Sequence, residues 1–256
     1  MEREYGATII VPNPANANKP FEYHTYRTWG LILTNSQPIG DPEQETNYLN
    51  VPGRKGLLDY SDALTGAPVY KGRHIDMEFS TVRVPAEWDY TISAIRNLIE
   101  GKQVKIIFDH DPSHYWLGRI NLKNPDRIKR LGSFTLHAYV DAYCYDKAGS
   151  ADEMLWDDIV WETTVFREIG DKGTLDVVDS EAVVIPAGTM ETVPVFTVSD
   201  MISENFTVKR TPSSKTYTLF SGRNRFPDLK VCGSRDITLT FTGTAKVKVD
   251  YRGGSL

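Results

Sequence analysis

Alternation with a period of two runs through this chain and restricts it, before anything else, to a fold built from half-buried strands. In 74–80, Ile75, Met77 and Phe79 alternate with His74, Asp76, Glu78 and Ser80, which gives an extended segment one apolar and one polar face. Phe134, Leu136, Ala138 and Val140 alternate with Thr135, His137 and Tyr139 in the same way. Near the C-terminus, Ile237, Leu239 and Phe241 are followed by Ala245, Val247, Val249 and Tyr251. Thr242-Gly243-Thr244 separates these last two runs and reads as a hairpin connection. Further strands are expected at 7–11, 29–33, 103–108, 115–122, 193–199, 205–210 and 216–220, all short and fenced by Gly, Pro, Asn or Asp. Antiparallel sandwiches or barrels follow from that spacing.

One segment departs from the pattern. Trp88, Ile92, Ile95, Leu98 and Ile99 recur at three- and four-residue steps between Pro85, suited to a first helical turn, and Gly101, suited to an end cap. This predicts one amphipathic helix at about 86–100 laid on a sheet, with Trp88 as a core anchor rather than a ligand platform. Two stretches, 12–20 and 37–73, have no period at all. Loops of that length in a compact domain are functional or ordered by a partner.

A chain of 256 residues makes one large domain or two ordinary ones. The charge decides for two. Residues 1–147 hold 18 acids and 17 bases, 151–181 hold 10 acids and two bases, and 182–256 hold 6 acids and 10 bases. With the small residues of 147–151 (KAGSA) as a linker, the expected domains are 1–147 and 148–256. The acidic stretch reads first as a solvated face. A net charge of -5 gives no reason to expect nonspecific nucleic-acid binding. No apolar run approaches the roughly 18 residues of a membrane span, and the start lacks a basic, then apolar, secretory pattern, so synthesis in a cytoplasm is expected.

Candidate chemistry is sparse. Cys144 and Cys232 have no Cys or His partner at zinc-ligand spacing; a bridge between them is conceivable, but two free, buried thiols fit a protein made in a cytoplasm better. In Asp109-His110-Asp111-Pro112-Ser113-His114, a hairpin turning at Asp111-Pro112-Ser113 would let His110 and His114 face each other at metal-binding distance. Against this, Asp-Pro-Ser is ordinary turn chemistry and no third ligand is evident. Glu153 with Asp157, and Asp158 with Glu162, could stack as carboxylate pairs on a helix, but Trp156, Ile159 and Trp161 fit a strand as well, which would separate them. There is no Gly-x-Ser-x-Gly elbow, and Gly53-Arg54-Lys55-Gly56 lacks the Gly-Lys-Ser/Thr ending of a phosphate loop. No enzyme activity, cofactor or metal is expected.

Three strings occur in order: Thr28-Trp29-Gly30-Leu31-Ile32-Leu33-Thr34, then Val51-Pro52-Gly53-Arg54-Lys55-Gly56-Leu57-Leu58-Asp59, then Val69-Tyr70 with Arg73-His74-Ile75-Asp76-Met77-Glu78-Phe79. Together they resemble the distal tail proteins of long, noncontractile-tailed phages of Gram-positive hosts. The likeness covers about 21–146 well, including Asp111 to Arg119, and is weaker from 156 onward. It implies an all-β chain with one helix: an N-terminal β-sandwich that closes into a hexameric ring, and a C-terminal galectin-like sandwich. It further implies a structural hub at the virion tail tip, with other copies of itself, the tail tube protein, a tail-tip or tail-associated lysin protein and a receptor-binding protein as partners, and neither membrane nor sequence-specific nucleic acid. Arg54, Lys55, Asp59, Tyr70 and Arg73 are the expected intersubunit or tube contacts; equally, Gly53 and Gly56 could merely shape a turn and Arg73 pair within its own sheet. The C-terminal part lacks the His-Asn-Arg and Trp pattern of true galectins, so sugar binding does not come with that fold. The alternative function is a carbohydrate-binding accessory module for adhesion to the host cell wall.

Overall fold

The structure, a computed structural model, describes residues 6–16, 19–35, 38–61, 63, 68–81, 84–123, 126–128, 131–147, 174–188, 190–213, 215–231, 235–251 and 253–256. Most of the acidic stretch, the paired acids at 153/157 and 158/162, and Cys232 lie outside the described residues. The chain divides into two compact units, one of 1–110 with 116–142 and one of 111–115 with 143–256. The second unit therefore begins a few residues before the expected boundary at 147/148 and takes in a short piece from earlier in the chain.

The first unit is one antiparallel sheet. Its strands are β1 (Ala7–Val11), β2 (Phe21–His24), β3 (Leu31–Leu33), β6 (Arg73–Thr81), β7 (Gln103–Phe108), β8 (Asp111–Leu122) and β10 (Leu131–Val140), in the order β2-β1-β7-β8-β10-β6-β3. Two short strands, β4 (Tyr48–Leu49) and β5 (Leu58–Asp59), form a ribbon of their own, and β9 (Asp126–Ile128) pairs with β10. The alternating residues read from the sequence point to one side: Ile75, Met77, Phe79, Phe134, Leu136, Ala138 and Val140 are all buried, and the β6–β10 ladder sets Phe134 opposite Phe79 and Leu136 opposite Met77.

β2 and β3 stand at opposite ends of that order, yet only 25–30 lie between them. A flat sheet of this width would hold its outer strands about 29 Å apart. The helix α1 (Thr25–Trp29) and one glycine span about 9 Å. The sheet must therefore roll. The sandwich of this unit is made by a single sheet curling around its core, with α1 as the strap between its ends.

α1 departs from the expected strand at 29–33, of which only 31–33 is extended. His24 caps it: Nδ1 accepts from the backbone N–H groups of Tyr26 and Arg27, both at 3.2 Å. With Nδ1 accepting, Nε2 carries the proton and donates to Asp109, 3.2 Å away, which pins the strap to the β7–β8 turn. Gly30, at φ 68°, ends the helix in the left-handed conformation that favours glycine.

The expected long helix is α2 (Trp88–Ile99), entered through a 3-10 turn at Pro85–Glu87. Its buried stripe of Trp88, Ile92, Ile95 and Ile99 follows the predicted spacing, whereas Leu98, expected in the same stripe, is only half-buried. Trp88 is a core anchor, its ring meeting Phe134 edge-on at 6.5 Å. Gly132 makes this approach possible, since a Cβ there would lie 2.9 Å from the Trp88 ring.

The second unit contains two four-stranded sheets. One orders β12 (Thr174–Val177), β19 (Ala245–Asp250), β14 (Val195–Ser199) and β17 (Gly222–Arg225); the other orders β13 (Ser180–Ile185), β18 (Ile237–Thr242), β15 (Phe206–Thr211) and β16 (Thr216–Leu219). Phe196 from the first sheet meets Phe241 from the second edge-on at 5.9 Å, in a core that includes Phe206, Val208, Leu239, Val247 and Val249. Here one expectation is corrected. The runs at 237–241 and 245–251 are not a hairpin: β18 and β19 lie in different sheets. A short glycine-bearing connection serves a sheet-crossing corner as well as a hairpin, so local chemistry could not separate the two. Of the connections from β12 to β19, only β15–β16 stays within one sheet. The corners brace each other: Gly243 N–H donates to Asp179 O at 2.8 Å, and Ile202 N–H to Thr244 O at 3.0 Å.

Alongside these sheets, β11 (Cys144–Asp146) pairs with β20 (Gly254–Ser255) and with His114 and Tyr115 at the start of β8. Cys144 is a buried free thiol that donates weakly to Ser255 O at 3.3 Å.

Candidate interface

The long stretch without a period is an arm. At its base Ile39 bridges Ile75 and Gly40 N–H donates to His74 O at 2.9 Å. Further out Gln44 bridges Tyr70, Glu45 N–H donates to Val69 O and Lys71 N–H to Glu43 O, and beyond them β4 pairs with β5. This two-stranded ribbon continues past the Arg73 end of β6 and leaves the body of the sheet. From Gly40 to Leu49 it covers about 30 Å at strand rise.

The arm exposes what strands normally hide. Tyr48 is 56% exposed and Leu57 60%, and Leu49 and Tyr60 are exposed as well. Tyr48 and Leu49 are adjacent on one strand and so face opposite sides, which leaves neither face of the ribbon covered. An isolated two-stranded ribbon is marginal in water, so apolar side chains on both faces point to a partner surface. Sequence reasoning did not single out these four residues. The available signal was the presence of large apolar side chains inside a stretch that has no burial period.

The five expected contact residues all lie on this arm or at its root. Arg54 and Lys55 are exposed in the tip, in a turn where Arg54 N–H donates to Val51 O and Gly53 and Gly56 take φ of 84° and 87°. They are the only charges between Thr46 and Leu58. Asp59 shapes the ribbon: its Oδ1 accepts from Ser61 N–H at 3.0 Å and from Ser61 Oγ at 2.6 Å, and these bonds hold its carboxyl below the usual range. Tyr70 is a half-buried rung opposite Gln44. Arg73 sits inside the sheet, 7% exposed, with its guanidinium 5.3 Å over the Trp116 ring. Its Nε and Nη2 have no hydrogen-bond partner among the described residues.

On the outer face of β6 and β10, His74 Nδ1 lies 3.3 Å from His137 Nε2, His137 Nδ1 lies 2.6 Å from Asp76 Oδ1, and Lys123 Nζ donates to that oxygen at 2.9 Å. His137, then Lys123, holds the Asp76 carboxyl below its ordinary value. The ladder register brings these groups together by placing His137 opposite Asp76 and Tyr139 opposite His74. Sequence spacing alone did not reveal it.

His110 and His114, which a turn at 111–113 would have let face each other, are arranged differently. The β7–β8 turn is 109–110, not 111–113, and His110 there stacks on Phe108 at 5.2 Å. His114 Nδ1 lies 2.8 Å from Asp111 Oδ1 and its Nε2 3.4 Å from Asp146 Oδ1. The hydrogen bond to Asp111 first, and that to Asp146 second, push the imidazole up to about 10. In its charged form the ring donates from both nitrogens, to Asp111 and to Asp146.

A cleft of about 350 Å³ runs between α1 and α2, lined by Thr28, Trp29, Glu87, Tyr90, Thr91 and Ala94 among others. Tyr90 stands on the helix face opposite the buried stripe and is 80% exposed. No helix among the described residues is long and apolar enough to cross a membrane.

No family model matches the sequence, and no curated protein does. Among solved structures, the chain is similar to the crystal structure of SPP1 Dit (gp 19.1), described as a paradigm of the hub adsorption apparatus in phages that infect Gram-positive bacteria. The TM-score is 0.60 at 12% sequence identity, over 98% of this chain and 99% of that one. The chain thus shares its fold with that protein over nearly the whole length of both.

Proposed function

We propose that this chain is a structural hub of a phage tail tip: copies close into a ring, six by the family resemblance, that joins the tail tube to the tail-tip or tail-associated lysin protein and to receptor-binding proteins. The observation that carries this reading is the arm. It leaves the first unit with apolar side chains uncovered on both faces, which an isolated monomer has no use for and a ring of copies would bury. The end-to-end likeness to a hub protein supports the same reading at the level of fold. The role is architectural and noncatalytic, carried out in the virion after synthesis in the infected cell. Arg54, Lys55, Asp59, Tyr70 and Arg73 serve it as tip contacts and as the frame of the arm.

Mass photometry and negative-stain electron microscopy of the purified full chain test the proposal. A six-fold ring is the expected result, and a persistent monomer at high concentration overturns it. The second reading, a carbohydrate-binding accessory, draws on the hydroxyl-rich outer face of the β13-β18-β15-β16 sheet, where Thr207, Thr211, Thr216, Thr218, Thr238 and Thr240 share one surface. A glycan array on the full chain separates the two readings.

A further inference from the structure

The first unit exposes large aromatic and aliphatic side chains on the arm and a single aromatic ring, Tyr90, beside the α1–α2 cleft, and the two places lie at opposite ends of one strand. The arm springs from the Arg73 end of β6, where Ile39 bridges Ile75. The α1–α2 cleft belongs to the other end. Leu31, directly after α1 and its capping glycine, pairs with Thr81, and α2 packs Trp88 on Phe134, which pairs with Phe79. A nine-residue strand separates them, about 27 Å. The two surfaces are unlike in form, one a projecting ribbon and the other a concave slot beside a bare aromatic ring. Their charges also differ. The arm tip holds only Arg54 and Lys55, whereas Glu87 lines the cleft and Asp89 stands in the first turn of α2, two acids against the single Arg27 of α1.

Unlike surfaces at opposite ends of a protomer make a head-to-tail contact, and such contacts build rings when the rotation closes. We infer that the arm of one copy seats in the α1–α2 cleft of the next, Leu57 and Tyr60 against Tyr90 and Ala94, with the basic tip at the acidic start of α2. The occupant of the cleft is thus a second copy of this chain. This assignment rests on the ring reading above and specifies which surfaces close the ring. Tyr90 faces solvent in the monomer because its contact lies on the neighbour, and the β4–β5 ribbon gains its missing layer from the neighbour's helix.

Two variants test it. Leu57→Glu places a charge on the arm, and Ala94→Arg fills the cleft and opposes the basic tip; both positions are solvent-accessible, and thermal melts check that each chain remains folded. Each variant alone is expected to be monomeric at concentrations where the parent chain forms rings, a loss of at least tenfold in association. An equimolar mixture is expected to yield dimers and nothing larger, because one intact cleft and one intact arm remain per pair. Parent-like rings from either variant, or no dimer from two folded variants, overturn the arm-in-cleft contact while leaving the ring itself standing. A parent chain that stays monomeric removes both the ring reading and this assignment.

Discussion

His114 Nδ1 lies 2.8 Å from the Asp111 carboxylate while its other nitrogen faces Asp146, so the ring is clamped between two acids as a cation. Its folded-state value of about 10 exceeds the ordinary 6.5. A raised value means the stabilisation is fully present below pH 6.5 and is lost as pH rises through about 10. Asp111 is 35% exposed and partly screened, so we expect a loss on the order of 2 to 3 kcal/mol across that window rather than the full conversion of the shift. Chemical denaturation at pH 6, 8 and 10 measures it. His114→Gln is expected to be less stable at pH 6 and to have a flatter profile; an equal slope in both chains would sink the assignment.

Gly118 faces the β10 backbone so closely that a Cβ would stand 2.6 Å from Val140 Cα. Gly118→Ala is therefore expected to cost about 3 kcal/mol by prying β8 from β10. Gly53→Ala meets nothing within 4 Å and pays only for its φ of 84°, about 1 kcal/mol. Urea titrations of the two variants check the order.

Phe241 touches both sheets of the second unit, stacking on Phe206 at 6.0 Å and meeting Phe196 at 5.9 Å. Phe241→Ala is expected to destabilise that unit by about 3 to 5 kcal/mol. Its neighbour Thr240 points outward, and Thr240→Ala should stay within about 0.5 kcal/mol. Comparable losses for both would contradict the alternation.

Asp76 holds the surface chain of His137 and Lys123, and its lowered value gives the opposite sign to His114. The stabilisation is present above pH 3.8 and is lost as pH falls through the lowered folded value. The carboxylate is 49% exposed, so Asp76→Asn should cost only about 0.5 to 1 kcal/mol at pH 7, and less in high salt. A melt series in salt reads both effects.

The sequence revealed burial wherever a face is half buried. The strands at 7–11 and 103–108 and the stripe from Trp88 to Ile99 follow from side-chain period, because one side meets a core and the other meets water. The arm escaped because both its faces meet water, so no period exists to be read. The corner at Gly243 escaped because its choice between sheets is made by Phe196 and Phe241, far apart in sequence. The clamp on His114 depends on β11 arriving beside β8, and the histidine pair on the register of β6 against β10. Contacts between distant strands leave no local trace.

The strap that rolls the first sheet also imposes a schedule. β2 can pair with β1 as soon as both have emerged from a ribosome, but β3, six residues later, has β6 as its partner, and β6 gains its other neighbour only with β10. At typical rates of about 5 to 20 residues per second, α1 waits several seconds before the far end of its sheet exists. Until Val140 has been made, the newborn chain is an open sheet with its seam unsealed.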